Sequence, residues 1–344
     1  MRWTRNSRWA ALRLMLATIA ILPLSAGRGS AEITTLRLSF FTSDRSSVYQ
    51  CHVKPFVDAV NAEHGTLRIE VYFSGAISPS QAEQPNLVLS GAADIAFIIP
   101  GTTPQQFPDS FVLALPGLFK TDQEGSTVFT RLVRDDALEG YGRFFVIGAH
   151  LSSAEIIHSR KPIASLADLR GQKIRVNNEI SASILQRLGA VPVSVPLNRT
   201  MDALSSGVID GVAVDPSVLE EFGLSRLAQN HYFLMIGSAP LALVMSKEKL
   251  ASLPSDAQEV IRKYSGEWFV KQETACADTK VRQAIAQIRA APNRHVVDPS
   301  PADMAIAQAV FGEAIHDWTA VSPHNRQVME KLIGERNALR TEQQ

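Results

Sequence analysis

Arg175 is the residue whose type and setting most invite chemistry. It lies in Lys173-Ile174-Arg175-Val176-Asn177, whose alternation is that of a strand, so Lys173, Arg175 and Asn177 share one face and Ile174 and Val176 the other. A guanidinium presents a rigid fork of donors that matches a carboxylate bidentately. Its two readings are capture of an anionic ligand and pairing with an acidic neighbour at a domain edge. Asp215 can accept a hydrogen bond from a ligand hydroxyl or ammonium, or cap a helix beginning near Ser217. His150 and His158 are candidate hydrogen-bonding groups, with backbone-bonded structural histidines as the alternative. Phe41 and Phe97 can pack on a ligand body or belong to the core. Gly101 and Thr102 follow Asp94-Ile95-Ala96-Phe97-Ile98-Ile99, a run apolar enough for a strand buried on both faces. A loop at the carboxyl end of such a strand is where open α/β sheets place ligands.

Other chemistries leave no trace. The eight histidines show no HExxH or other zinc spacing, and the two cysteines, Cys51 and Cys276, cannot form a CxxC, so no metal site is expected. GxSxG, GxGxxG and GxxxxGK[ST] are absent as well, and no cofactor is expected.

The elements that must position these residues are repeated α/β units. Thr35-Leu36-Arg37-Leu38-Ser39-Phe40 alternates as a strand, Val53, Phe56, Val57 and Val60 fall at helical spacing, and Leu67-Arg68-Ile69-Glu70-Val71-Tyr72-Phe73 alternates again. Strand, helix, strand reads as a βαβ unit with a parallel sheet. The same grammar restarts after residue 150, with strands at 173–177, 191–195 and 208–214 and helices at 181–188 and 200–206. Two lobes are therefore expected: lobe I over 32–150 with return segments from about 247–344, and lobe II over 151–240. A capping box, Ser255 with Gln258, opens apolar spacing that predicts one continuous helix over 255–290, long enough to span both lobes.

Arg2, Arg5, Arg8 and Arg13 precede an apolar run over 14–24, and small residues follow: a signal peptide over 1–31, with Gly29-Ser30-Ala31 as the cleavage tripeptide and Ala26 as the alternative. The run is too short to span a bilayer, so the mature chain is expected in the periplasm with no stable membrane insertion. Lys+Arg 34 against Asp+Glu 34 becomes 29 against 34 once five leader arginines are gone, which argues against a nucleic-acid partner. With so few cysteines, stability must come from core burial, and two unpaired buried thiols are expected.

The stretch 161–246 resembles the DctP-type solute-binding proteins of TRAP (tripartite ATP-independent periplasmic) transporters. The matching residues are Lys161-Pro162-Ile163, Leu166-Ala167-Asp168-Leu169-Arg170-Gly171, Lys173-Ile174-Arg175-Val176, Leu188-Gly189-Ala190, Ala203-Leu204 with Gly207, Ile209-Asp210-Gly211 and Val244-Met245-Ser246-Lys247. Weaker similarity reaches back through Leu115-Pro116-Gly117-Leu118-Phe119 and Ala93-Asp94-Ile95. The resemblance implies an α/β, two-lobed periplasmic binding protein fold, with Arg175 holding a ligand carboxylate in the cleft and the closed form docking on TRAP membrane subunits. Two departures bear on the ligand. Ala154 stands where many members carry a further Arg, and Val212-Ala213-Val214-Asp215-Pro216 replaces a run whose Asn contacts ligand. One arginine fits a small organic acid with a single carboxylate better than a dicarboxylate. The rival readings are a periplasmic hydrolase or isomerase using His150 or His158 with Asp215, and a sensing protein for a membrane sensor.

Overall fold

The structure, a computed structural model, describes residues 33–342 except 64 and 66, and residues 33–344 cluster as one compact unit. The leader expected over 1–31 lies outside the described residues. In chain order the strands are β1 (Thr34–Ser39), β2 (Leu67–Tyr72), β3 (Ile95–Ile98), β4 (Phe144–Leu151), β5 (Ile156–Ser159), β6 (Lys173–Val176), β7 (Val191–Ser194), β8 (Gly211–Val214), β9 (Asn230–Tyr232), β10 (Pro240–Ser246) and β11 (His295–Val297). They form two sheets, ordered β2-β1-β3-β10-β4 and β11-β9-β5-β8-β6-β7. In the first, β1 runs parallel to β2 and β3, and β10 returns antiparallel between β3 and β4. In the second, β6 is parallel to β7 and β8, while β5 is antiparallel to β8 and β9. Each sheet carries one lobe, and this is a two-lobed periplasmic binding protein fold.

The central strands explain themselves. Every residue of β3, β8 and β10 is buried, as near-continuous apolar runs covered on both faces by helices require. The chain leaves the first lobe after β4 and re-enters it at β10, and the two crossings are laced together. Ser152 donates its N–H to the Ala239 carbonyl (2.8 Å), Glu155 donates to Gly237 (2.8 Å), and Ile236 donates back to Glu155 (3.0 Å).

The C-terminal third departs from expectation in three ways. The continuous helix over 255–290 is two helices, Ser255–Lys263 and Glu267–Ala290, broken at Gly266 (φ +65°), whose N–H bonds the Ile147 carbonyl of β4 at 2.8 Å. Anchoring to the sheet and a left-handed φ open to glycine stop the first helix. Glu267–Ala290, about 36 Å long at 1.5 Å per residue, still packs on both β4 and the second-lobe helix Pro216–Glu221. Ser255 lies inside its helix rather than capping it, and Gln258 bonds the Leu253 carbonyl instead (2.9 Å). The chain after 247 does not all return to lobe I, because β11 joins the second sheet beside β9. Helix Pro301–Ala320 packs on the second-lobe helix Glu179–Arg187, and Pro323–Glu342 on the first-lobe helix Asp122–Arg134. Among the described residues no helix is long and apolar enough to cross a membrane.

The expectation of two unpaired thiols is corrected as well: Cys51 and Cys276, 225 residues apart, form a disulfide with a Cα–Cα distance of 5.2 Å. A π-helical turn over Val48–Val53 presents Cys51 to the long helix, a juxtaposition that sequence separation could not reveal. The bond ties the lip of the first lobe to that helix and contributes about 2–5 kcal/mol.

β4 approaches the same helix so closely that a Cβ on Gly148 would lie 2.1 Å from the Phe269 ring. Phe269 is buried in the first-lobe core and cannot swing to solvent. Gly148→Ala should therefore cost about 1–3 kcal/mol through overpacking, read as a melting temperature lowered by several degrees. An unchanged melting curve would mean that the helix and strand separate more readily than this packing allows.

Candidate functional site

Between the lobes lies a cavity of about 790 Å³ lined by residues from both. On the second-lobe side β6 delivers Arg175 to its wall while Ile174 and Val176 enter the core. The Arg175 side chain is buried, and its Nε donates to the Val195 carbonyl (2.9 Å), which fixes the guanidinium plane. No carboxylate stands within ion-pair reach of it among the described residues, and burial lowers its pKa from the usual value, against the opposing pull of Glu155. Asn177, next on the same face, spends its Nδ2 on Glu155 (2.6 Å), which also accepts from Ser181 Oγ (3.0 Å). Burial pushes Glu155 up to about 7, although Arg175 and those two hydrogen bonds favour its ionised form.

Asp215 caps a helix, as one of its two sequence readings has it, and also lines the cavity. Its Oδ1 accepts from the N–H groups of Ser217 (2.8 Å) and Val218 (3.2 Å), capping helix Pro216–Glu221, while the side chain lines the cavity. Burial raises its pKa.

The first lobe supplies a mostly apolar wall. Phe41 and Phe97 both line the cavity, with ring centroids 6.1 Å apart. Gly101 and Thr102 line it too, and a Cβ on Gly101 would sit 3.3 Å from the Asn177 carbonyl oxygen, so loops of the two lobes nearly touch there. A second bridge closes the opposite lip, where Ser47 donates both its N–H (2.7 Å) and its hydroxyl to Glu221.

The structure separates the histidines. His150 is fully buried behind His52, which does line the cavity; the two rings stack at 4.4 Å and 12°. Burial, then the neighbouring His52, hold the His150 pKa well below its usual value. His158 pairs with His231 at 2.7 Å between Nδ1 atoms inside the second lobe, away from the cavity wall. Neither histidine named from sequence lines the cavity, whereas His52 does. His52, His150 and Glu273 bring possible metal-ligating atoms within 4.8 Å of one another.

The family model for bacterial extracellular solute-binding protein, family 7 (DctP) matches residues 38–320. This chain belongs to the DctP family of TRAP solute-binding proteins. Its members are receptors that hold small ligands and work with membrane subunits. Among its relatives, the 2,3-diketo-L-gulonate-binding periplasmic protein YiaO of Escherichia coli is 24% identical over 73% of this chain and 77% of its own length. A marine metagenome TRAP solute-binding protein specific for aromatic acid ligands superposes with a TM-score of 0.83 at 24% identity, covering 89% of this chain and 99% of that one. A TRAP solute-binding protein of Rhodoferax ferrireducens, crystallised with copurified benzoate, gives 0.78 at 25% identity, covering 89% and 99%.

Within this candidate site, sequence reasoning missed His52, Glu155 and the Ser47–Glu221 bridge. Glu155 had a signal in that it adjoins Ala154, the position weighed for a second arginine. His52 had none beyond its place after Cys51.

Glu155 makes stability pH-dependent with a definite sign. Its folded pKa of about 7 lies above its ordinary 4.5, so the fold prefers the neutral acid, and this contribution is intact below about 4.5, fades as pH rises and is gone above about 7. The ligand-free protein should melt at progressively lower temperature from pH 5 to 7.5, and Glu155→Gln should flatten that slope. Parallel slopes in the two proteins would assign the dependence to other groups, such as Asp122, pushed up to about 6 by burial.

Proposed function

We propose that this chain is the periplasmic receptor of a TRAP-type secondary transporter for a small aromatic acid with one carboxylate, which Arg175 holds as the lobes close. The observation that carries the reading is a buried guanidinium on the cavity wall with no acidic partner in ion-pair reach among the described residues. Such a group gains most from an anion that arrives with the ligand, since the pair forms in a dry site. Phe41, Phe97, Ile99 and Val214 offer an apolar enclosure for a ring. Asp215 and Glu155 oppose a second carboxylate nearby. The benzoate and aromatic-acid ligands of two similar structures support the same class, while other relatives take sugar acids. Asn177, Gly101 and Thr102 shape the carboxylate end in this reading, and Asp215 meets the ligand body. Closure follows because ligand binds the closed state better than the open one, and delivery to the membrane subunits leaves the ligand chemically unchanged. Removal of residues 1–31 on export completes the proposal.

Titration calorimetry of the protein from Glu32 onward with benzoate tests it. Arg175→Ala should cost about 2–5 kcal/mol of binding, as truncated buried charge pairs do, and Arg175→Lys should recover only part because an ammonium lacks the fork. Undiminished affinity in Arg175→Ala would overturn the assignment. The lip bridge has its own signature: Glu221→Ala should weaken binding by about 1 kcal/mol, chiefly through faster release in stopped-flow measurements. Equal release rates would remove the bridge from the closure mechanism.

A further inference from the structure

His52 is on the cavity wall for a reason the carboxylate anchor does not use. Its Nδ1 stands 2.9 Å from Oε1 of Glu273, a buried carboxylate on the long helix. Its ring lies flat on His150, and Cys51, the residue before it, is bonded to Cys276, one helical turn from Glu273. The His52 Nδ1 is buried within ion-pair distance of Glu273, so Nε2 is the remaining polar atom of a ring that lines the cavity.

We infer that the His52–Glu273 pair reads a hydroxyl on the ligand body, making this a receptor for hydroxylated rather than plain aromatic acids; the inference rests on the reading proposed above. A hydroxyl both donates and accepts, so it satisfies Nε2 in either protonation state of the ring. A second carboxylate would meet Glu273 behind the ring and Asp215, whose charge interacts with His52 from the other lobe. A bare ring would leave Nε2 shut in an apolar contact without a partner, and sites built around a ligand hydroxyl reject analogues that lack it for this reason. Arg175 belongs to the second lobe and His52 to the first, so a ligand carrying both groups is gripped from both sides of the cleft, and hydroxyl recognition is coupled to closure.

Affinities of the wild type, His52→Phe and Glu273→Gln for benzoate and the three monohydroxybenzoates test this. The wild type should bind at least one hydroxybenzoate tenfold or more tighter than benzoate. His52→Phe should abolish the difference. Glu273→Gln leaves both rings and the disulfide in place and should reduce the preference, which keeps the test decisive if the phenylalanine variant folds poorly. Wild-type binding of benzoate with no hydroxyl preference, or a preference that survives both substitutions, overturns the inference alone. Binding of none of the four acids overturns the aromatic-acid reading and this inference with it.

Discussion

The structure depends on keeping a guanidinium dry without neutralising it. Burying Arg175 costs free energy that a direct ion pair would offset, but a direct pair would occupy the fork. The second lobe solves this at one remove. The Val195 carbonyl takes Nε, and Glu155 acts through space while its own oxygens are held by Asn177 and Ser181. β6 lies between β7 and β8, so both of its edges are paired where it presents Arg175.

The two lobes are strapped together by several segments. The crossings at Ser152–Ala239 and Glu155–Gly237 hydrogen-bond to each other. Behind them, Arg187 of the second lobe pairs with Glu313 and Asp317, while Arg131 of the first pairs with Glu267 and Glu342. These exposed pairs are individually weak. Together with the packed C-terminal helices they hold the backs of the lobes while the lips meet at Ser47 and Glu221.

What was legible in the sequence was what local periodicity encodes. The alternation around Arg175, the all-apolar strands and the cap at Asp215 are one-dimensional signals, and each sits where its pattern places it. The break at Gly266 was harder to read, because apolar spacing continues through it and only the tertiary bond to Ile147 decides the stop. β11 is three residues whose pairing depends wholly on β9, 65 residues upstream by their first paired positions, Asn230 and His295. The histidines failed for a related reason. Which of His52, His150 and His158 meets the cavity depends on the stacking order of elements, and no spacing rule carries that.

The disulfide places a condition on assembly. With only two cysteines in the chain, no wrong internal pairing exists, so oxidation needs no reshuffling. Yet Cys51 must wait as a thiol until Cys276 arrives with the last quarter of the polypeptide. The cavity wall that Cys51 and His52 build is therefore among the last parts to be locked, because the bond that fixes it closes over 225 residues.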